Sequence, residues 1–146
     1  MNGNSFIKFI LRSPLHGLLS GKTMLITVTG RKTGRTITTP VNFARDNGAL
    51  LVISKRDRKW WRNLRGGAPV CLRLHGQDVT GYAEAVLDPK TIAAQLNSYI
   101  LQIPYSARSL GIHIDAGKPD ADDLARVARE WLIVRINCET PRGDRR

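Results

Sequence analysis

The chain has 146 residues, of which 42% are hydrophobic, so it is long enough to form one globular domain around its own core. Lys and Arg number 23 against 12 Asp and Glu, and the formal charge of +11 favours an anionic partner, such as a phosphate-bearing cofactor, an anionic lipid or nucleic acid. The two cysteines and three histidines are scattered, so they predict neither a disulfide framework nor a metal site. No apolar run approaches the roughly 20 residues that span a bilayer.

The first predicted element is a short amphipathic helix over residues 4–11. This stretch is apolar but is interrupted by Lys8, and it has neither the length nor the cleavage site of a signal peptide. We predict that it packs on the domain; the alternative is a membrane-surface contact aided by Lys8 and Arg12. The corresponding prediction is a cytoplasmic protein, with peripheral membrane attachment as the alternative.

Short apolar, β-branched runs separated by turns come next. They predict strands at residues 24–29, 36–44, 49–54, 69–75 and 79–86. The first two form a hairpin around the basic turn at residues 31–35, and an Asp-Asn-Gly turn at residues 46–48 precedes the third. A basic segment, residues 55–65, separates the third strand from the fourth.

Helices dominate the remaining part of the sequence. Asp88 followed by Pro89 is a typical helix start, and apolar residues recur behind it at helical spacing. Residues 104–119 have no clear period and predict a loop. Residues 120–131 predict a second helix, and residues 132–136 predict a closing strand.

The order of these elements indicates a single domain. A meander of strands with two or three helices is typical of a small barrel wrapped by helices, so we predict a mainly β fold of the α+β class. No repeat or linker interrupts it. The predicted domain covers residues 1–138, and residues 139–146 are predicted to be a disordered basic tail.

The basic turn is the first candidate binding site. Its sequence, GRKTGR, contains Lys32 followed by Thr33, but Ile26 and Arg31 stand where a P-loop requires glycine. A glycine-flanked turn still exposes backbone N–H groups beside two cations, which can bind an anion. The alternative is an ordinary charged hairpin, and the turn taken alone favours it.

The second candidate is the basic segment after the third strand, in which Trp60 and Trp61 alternate with cations. Such a pattern can hold anionic groups and stack on a planar ring; the alternative is that the tryptophans anchor the segment in the core. No nucleophile with a base and no catalytic carboxylate pair is evident, and the acidic cluster at residues 120–123 is explained by helix capping. An enzymatic reaction would therefore need a bound cofactor.

The two candidates together resemble the deazaflavin-dependent nitroreductase family. The segments LITVTGRKTG, TTP, VISK and WWRNL, within about residues 23–86, are similar to the family patterns LLTTxGRKSGxxRxxPL, VVASK and WYxNL. The resemblance implies the pyridoxamine phosphate oxidase-like, FMN-binding split β-barrel fold with six strands. It also implies the cofactor coenzyme F420, a phosphorylated and polyglutamylated deazaflavin whose hydride passes to quinones or nitroaromatics.

The resemblance implies a binding site by position. The implied cofactor-binding residues are Arg31, Lys32, Thr33, Thr38, Thr39, Pro40, Val41, Ser54, Lys55, Trp60, Trp61, Arg62 and Asn63. Residues 31–33 would contact the anionic tail of the cofactor, and residues 38–41 would line its phosphate and ring. Residues 52–55 and 60–63 would close the pocket. Ser106, with Tyr105 beside it, stands by spacing where the best-known members place a tyrosine near the substrate. No side chain is required as an acid or base, since solvent can protonate the product.

Some positions depart from the family pattern, and these departures leave alternative functions open. Ile37 replaces an arginine, with Arg35 as a candidate substitute, and the segment between SK and WW is shorter than in the best-known members. Relatives on this barrel bind FMN or haem, or no cofactor, and occur as homodimers or monomers. We therefore predict a deazaflavin-dependent oxidoreductase acting on a planar acceptor. The alternatives are an FMN- or haem-binding barrel, a cofactor-free binding protein and, less favoured, a module that binds nucleic acid or an anionic surface.

Overall fold

The structure, a computed structural model, describes residues 23–74 and 76–138. The predicted N-terminal helix and C-terminal tail lie outside the described residues. In chain order the elements are β1 (Thr23–Thr29), β2 (Thr36–Asn42), β3 (Ala44–Asp46), β4 (Ala49–Lys55), a 3-10 helix (Trp60–Leu64), β5 (Ala68–Leu74), β6 (Gln77–Val86), α1 (Pro89–Gln102), α2 (Tyr105–Leu110), β7 (Ile114–Asp115), β8 (Lys118–Pro119), α3 (Ala121–Glu130) and β9 (Trp131–Cys138).

Seven strands form one antiparallel sheet in the order β2-β1-β5-β6-β9-β4-β3, and β7 pairs with β8 separately. The two edge strands, β2 and β3, follow one another in the chain with only Phe43 between them. A flat sheet of this size would be roughly 29 Å wide, which one residue cannot span. The sheet must therefore curl until its edges approach each other, and the predicted split β-barrel with flanking helices is confirmed.

The core lies inside the curled sheet and under α1 and α3. Strands β1, β4 and β9 are mostly apolar and are buried at most positions, whereas β6 largely alternates between buried and exposed residues. Ile92, Leu96 and Ile100 of α1 are buried on the face that α1 turns to the core. Within the described ranges, no helix is long and apolar enough to cross a bilayer.

Two aspartates start the longer helices, as the sequence predicts. The Asp88 carboxylate accepts hydrogen bonds from the backbone N–H and the hydroxyl of Thr91, at 3.0 and 2.8 Å. These two bonds lower the pKa of Asp88. The Asp120 carboxylate accepts from the backbone N–H of Asp123 at 3.0 Å, so both side chains satisfy N–H groups that the first helical turn leaves free.

Two details of the predicted fold are wrong. The main sheet has seven strands instead of six, because the predicted strand at residues 36–44 bends at the buried Phe43 and becomes β2 and β3 on opposite edges. Residues 104–119 contain α2 and the β7–β8 hairpin rather than a featureless loop. Gly111 ends α2 with a φ of 73°, and a helix of six residues is too short to show a period in sequence.

Candidate functional site

A cavity of about 320 Å³ lies between β2 and β4, which are not hydrogen-bonded neighbours in the sheet. Its strand side consists of residues 39–42 from β2 and residues 53–55 from β4. Arg58 and Trp60, from the connection after β4, and Trp131, the first residue of β9, complete this side. The cavity therefore lies where the two sides of the curled sheet face each other.

The helices α1 and α2 form the other side of the cavity. Tyr99 comes from the third turn of α1, and α2 contributes Tyr105, Ser106, Ser109 and Leu110. Four of these five side chains carry a hydroxyl group. The cavity thus has a strand side with cations and indoles and a helical side with hydroxyls.

The structure brings together many, but not all, of the predicted site residues. Those that line the cavity are Thr39, Pro40, Val41, Ser54, Lys55, Trp60, Tyr105 and Ser106. Those that do not line it are Arg31, Lys32, Thr33, Thr38, Trp61, Arg62 and Asn63. Segments far apart in sequence thus meet around one cavity, and the basic turn lies outside it.

Lys55 and Arg58 give the cavity its positive charge. Both are exposed, and the ion pairs among the described residues join Arg73 to Asp78, Arg126 to Asp123 and Arg135 to Asp46, leaving these two cations without a carboxylate partner there. The Lys55 Nζ lies 5.9 Å from the centroid of the Trp131 ring, opposite it in the β4–β9 pairing. Two uncompensated cations at one cavity attract an anionic ligand.

Hydrogen bonds fix Trp60 beside the end of β4. Its indole Nε1–H donates to Ser54 Oγ at 3.1 Å, and the Ser54 hydroxyl in turn donates to the backbone carbonyl of Lys55 at 3.1 Å. The side-chain amide of Asn63 donates to the Trp60 carbonyl at 3.1 Å. The Trp60 ring is therefore held in place at the cavity, where it can contact a planar ligand.

Trp61 has a different role from its neighbour. It is 3% exposed and belongs to the core, in agreement with the alternative prediction that the tryptophans anchor this segment in the core. The guanidinium groups of Arg62 and Arg65 lie 5.9 and 5.2 Å from its ring centroid. Trp61 therefore anchors the 3-10 helix, and these cations cover its outer edge.

The basic turn is tied to the same 3-10 helix. The backbone N–H of Arg31 donates to Asn63 Oδ1 at 3.0 Å, and its guanidinium donates to the Arg65 carbonyl. Lys32 is exposed, and Thr33 Oγ accepts from the backbone N–H of Arg35 at 3.2 Å. The turn precedes the cavity-lining part of β2 by about 10 Å of strand, so an extended ligand could reach both.

Neither Thr38 nor Ile37 lines the cavity. The Thr38 hydroxyl lies 2.8 Å from that of Thr27 on the neighbouring strand β1. Ile37, the position that departs from the family pattern, pairs with Val28 in the same ladder and does not line the cavity. Arg58, from the connection between β4 and the 3-10 helix, supplies a cation at the cavity that the family resemblance did not identify.

Sequence reasoning missed several cavity residues. They are Asn42, Arg58, Tyr99, Ser109, Leu110 and Trp131. Arg58 lies within the basic segment already noted, but nothing in its sequence context distinguishes it from the neighbouring cations. Tyr99 and Trp131 belong to the apolar faces of predicted helices, where a core role is the ordinary expectation.

The chemistry available inside the cavity is limited. Among the described residues that line it there is no Asp, Glu, His or Cys, and residues 23–74 and 76–138 contain no cluster of three potential metal ligands. Burial, with a smaller contribution from the nearby phenol of Tyr105, raises the pKa of Tyr99, which therefore stays protonated at neutral pH. The lining groups can bind and orient an anionic, planar ligand, but they offer no ordinary base or nucleophile.

The fold and the cavity define this chain as a small split β-barrel protein with a cavity lined by cations. It belongs to the F420H(2)-dependent quinone reductase family, whose model matches residues 12–102. The family resemblance inferred from the four sequence segments is thereby confirmed. No curated protein matches the chain at a significant level.

Solved structures share the fold at low sequence identity. The protein Atu2129 of unknown function from Agrobacterium tumefaciens aligns with a TM-score of 0.59 and 14% identity over 89% of this chain and 57% of its own. The FAD and haem binding protein from Mycobacterium smegmatis aligns with a TM-score of 0.54 and 14% identity, over 81% of this chain and 61% of its own. The conserved hypothetical protein Rv2991 from Mycobacterium tuberculosis aligns with a TM-score of 0.53 and 17% identity, over 97% of this chain and 82% of its own. The chain thus spans less than two thirds of the length of the first two, and these similarities establish the fold alone.

Proposed function

We propose that the protein is an F420-dependent oxidoreductase that reduces a planar, electron-poor acceptor, with quinones as the first class to test and nitroaromatics as the second. Family membership supports the cofactor and the quinone. The observation that carries the proposal concerns the described residues of the cavity: two cations without a carboxylate partner and two indoles line it, and no Asp, Glu, His or Cys does. Such a cavity suits a reaction whose reactivity comes from a bound cofactor.

The residues present fit the proposed cofactor. A volume of about 320 Å³ lies at the lower end of the roughly 300–1,000 Å³ found for ligand sites, so the cavity has room for a ring system but not for the phosphate and polyglutamate tail as well. In this proposal the tail extends outside the cavity, and the exposed Lys32 and Arg35 are the cations proposed to contact it. When bound, reduced F420 supplies a hydride, and a quinone that accepts it becomes a hydroquinone with one proton from solvent.

In this proposal the protein side chains bind and orient the cofactor. Lys55 and Arg58 neutralise anionic groups at the cavity, and the rings of Trp60 and Trp131 bound the space for a planar group. Thr39 offers a hydroxyl at the same edge. The hydrogen bonds of Arg31 to the 3-10 helix favour a positioning role for that residue over direct contact with the tail.

Titration with F420H2, followed by tryptophan fluorescence under anaerobic conditions, tests the proposal. A partly exposed, charge-assisted contact contributes about 1–1.5 kcal/mol. Lys55→Ala and Arg58→Ala should therefore each weaken binding about five- to tenfold. Lys118→Ala is the matched control, because Lys118 is an exposed cation on β8 that does not line the cavity.

The same titration with FMN and haem tests the alternative cofactors. Tight binding of FMN or haem without binding of F420H2 would replace the proposed cofactor, and no binding of any of them would contradict the enzymatic proposal. Lys32→Ala tests the tail contact separately. It should weaken binding of polyglutamylated F420 while leaving binding of a form without the polyglutamate tail unchanged.

A further inference from the structure

The phenol of Tyr99 is a buried hydrogen-bond donor at the cavity. The Tyr99 side chain is 2% exposed and lines the cavity from α1. No described residue makes a hydrogen bond to its hydroxyl, although a buried phenol usually has one. Within the described part of the chain, Tyr99 therefore leaves one strong hydrogen-bond donor without an acceptor.

The Tyr99 side chain lines the cavity in a buried position. In the described part of the chain, the buried side-chain polar atoms that lack both a partner and solvent contact are Arg56 Nε, Trp61 Nε1 and Gln95 Oε1. The Tyr99 oxygen is not one of them, and the Tyr99 side chain lines the cavity.

The other hydroxyls on the helical side are in a different situation. Ser106 donates to the backbone carbonyl of Ile103, and Ser109 lies 3.5 Å from the carbonyl of Tyr105. Tyr105 is 62% exposed, so its side chain is open to solvent. Among the described residues on this side, Tyr99 alone combines burial with a hydroxyl that makes no hydrogen bond to the protein.

We propose that the Tyr99 hydroxyl donates a hydrogen bond to an oxygen of the bound electron acceptor and stabilises the negative charge that this oxygen gains during reduction. This inference rests on the proposed function and names a residue that acts on the acceptor. The cations on the strand side match the fixed charges of an anionic ligand, whereas a neutral buried donor best matches an oxygen that becomes charged only during the reaction. Its raised pKa keeps the group a donor throughout the physiological range.

The first test needs no F420. Duroquinone, a fully methylated benzoquinone that does not alkylate thiols, is bound to the full-length protein, and its carbonyl stretch is recorded by infrared difference spectroscopy. We expect a carbonyl band shifted to lower frequency in the wild type and a loss of that shift in Tyr99→Phe. Tyr82→Phe is the control, because Tyr82 is 51% exposed on β6 and does not line the cavity.

The second test is kinetic. Removal of one donor that stabilises a developing oxyanion lowers kcat by about 10²- to 10³-fold in well-studied enzymes. We expect Tyr99→Phe to lower kcat for duroquinone by about 10²-fold at the lower end of that range, with the F420H2 dissociation constant unchanged. A purely structural effect of the substitution would instead weaken cofactor binding as well.

The outcomes separate this inference from the proposed function. An identical infrared spectrum in the wild type and Tyr99→Phe, an absence of quinone binding, or unchanged turnover in Tyr99→Phe overturns the role of Tyr99. A wild-type protein that binds duroquinone with a shifted carbonyl band but does not reduce it with F420H2 contradicts the proposed function and supports the hydrogen bond.

Discussion

At the scale of single residues, Tyr99 also makes stability depend on pH. Burial raises its pKa in the folded protein above the value of about 10 for an unfolded tyrosine. Above that pH the unfolded chain loses the phenolic proton and the folded chain keeps it, so the unfolded state binds fewer protons and the free energy of unfolding falls as pH rises. One such group contributes a slope of up to about 1.4 kcal/mol per pH unit.

Urea denaturation at pH 8 and pH 11 measures this dependence. The wild type should lose more stability between these values than Tyr99→Phe, which has no proton to lose at this position. Taking the difference between the two proteins cancels the titration of lysines and other tyrosines. Equal losses in both proteins would show that Tyr99 ionises normally in the folded state.

At the scale of secondary-structure elements, Arg56 connects three of them just beyond the end of β4. Its guanidinium donates to the carbonyls of Leu87 and Ala128, each at 3.0 Å, and its backbone N–H donates to the Glu130 carbonyl at 3.0 Å. These bonds join the ends of β4, β6 and α3. Arg58, two positions further on, has an exposed side chain with no such partner among the described residues.

Arg56→Ala should lower the free energy of unfolding by about 2 kcal/mol, because it leaves two carbonyls without their charged donor. Arg58→Ala, the matched control, should change it by less than about 0.5 kcal/mol while weakening cofactor binding. Chemical denaturation and ligand titration on both variants check this division of roles. A smaller loss of stability in Arg56→Ala than in Arg58→Ala would contradict it.

At the scale of elements, the sequence predicts what local signals determine and not what long-range packing determines. Apolar runs, an Asp-Asn-Gly turn and two capping aspartates are local signals. Within the described residues, the strands and helices that they predict occur, except that the strand at residues 36–44 is divided into β2 and β3. The bend at Phe43 and the orientation of Trp60 and Trp61 are set by long-range packing. Adjacent tryptophans look alike in sequence, and only the 3-10 helix, held by Arg31, directs one into the cavity and the other into the core.

For the whole molecule, closure of the sheet creates the site. β2 and β4 belong to opposite ends of the strand order, and the cavity exists because the curled sheet makes them face each other under α1 and α2. Sequence motifs located residues on both strands, since those stretches are recognisable in themselves. Tyr99 and Trp131 could not be located in this way, because their exposure to the cavity depends on the closed shape.

The net charge of the whole molecule should make its stability increase with salt. The formal charge is +11, and three ion pairs are found among the described residues, so repulsion between cations outweighs attraction in the compact state. The Debye length shortens from about 30 Å at 0.01 M to about 8 Å at 0.15 M ionic strength. We expect NaCl over this range to stabilise the folded state by about 1 kcal/mol and to raise Tm by about 2–4 °C.

Thermal unfolding at the two salt concentrations checks this expectation. Lys118→Glu is the informative variant, because it lowers the formal charge from +11 to +9 at an exposed position outside the cavity. Its Tm should be higher than that of the wild type at low salt and should rise less with added NaCl, since less repulsion remains to be screened. A wild-type Tm that falls with NaCl would mean that surface ion pairs, rather than repulsion, dominate the electrostatic energy of the fold.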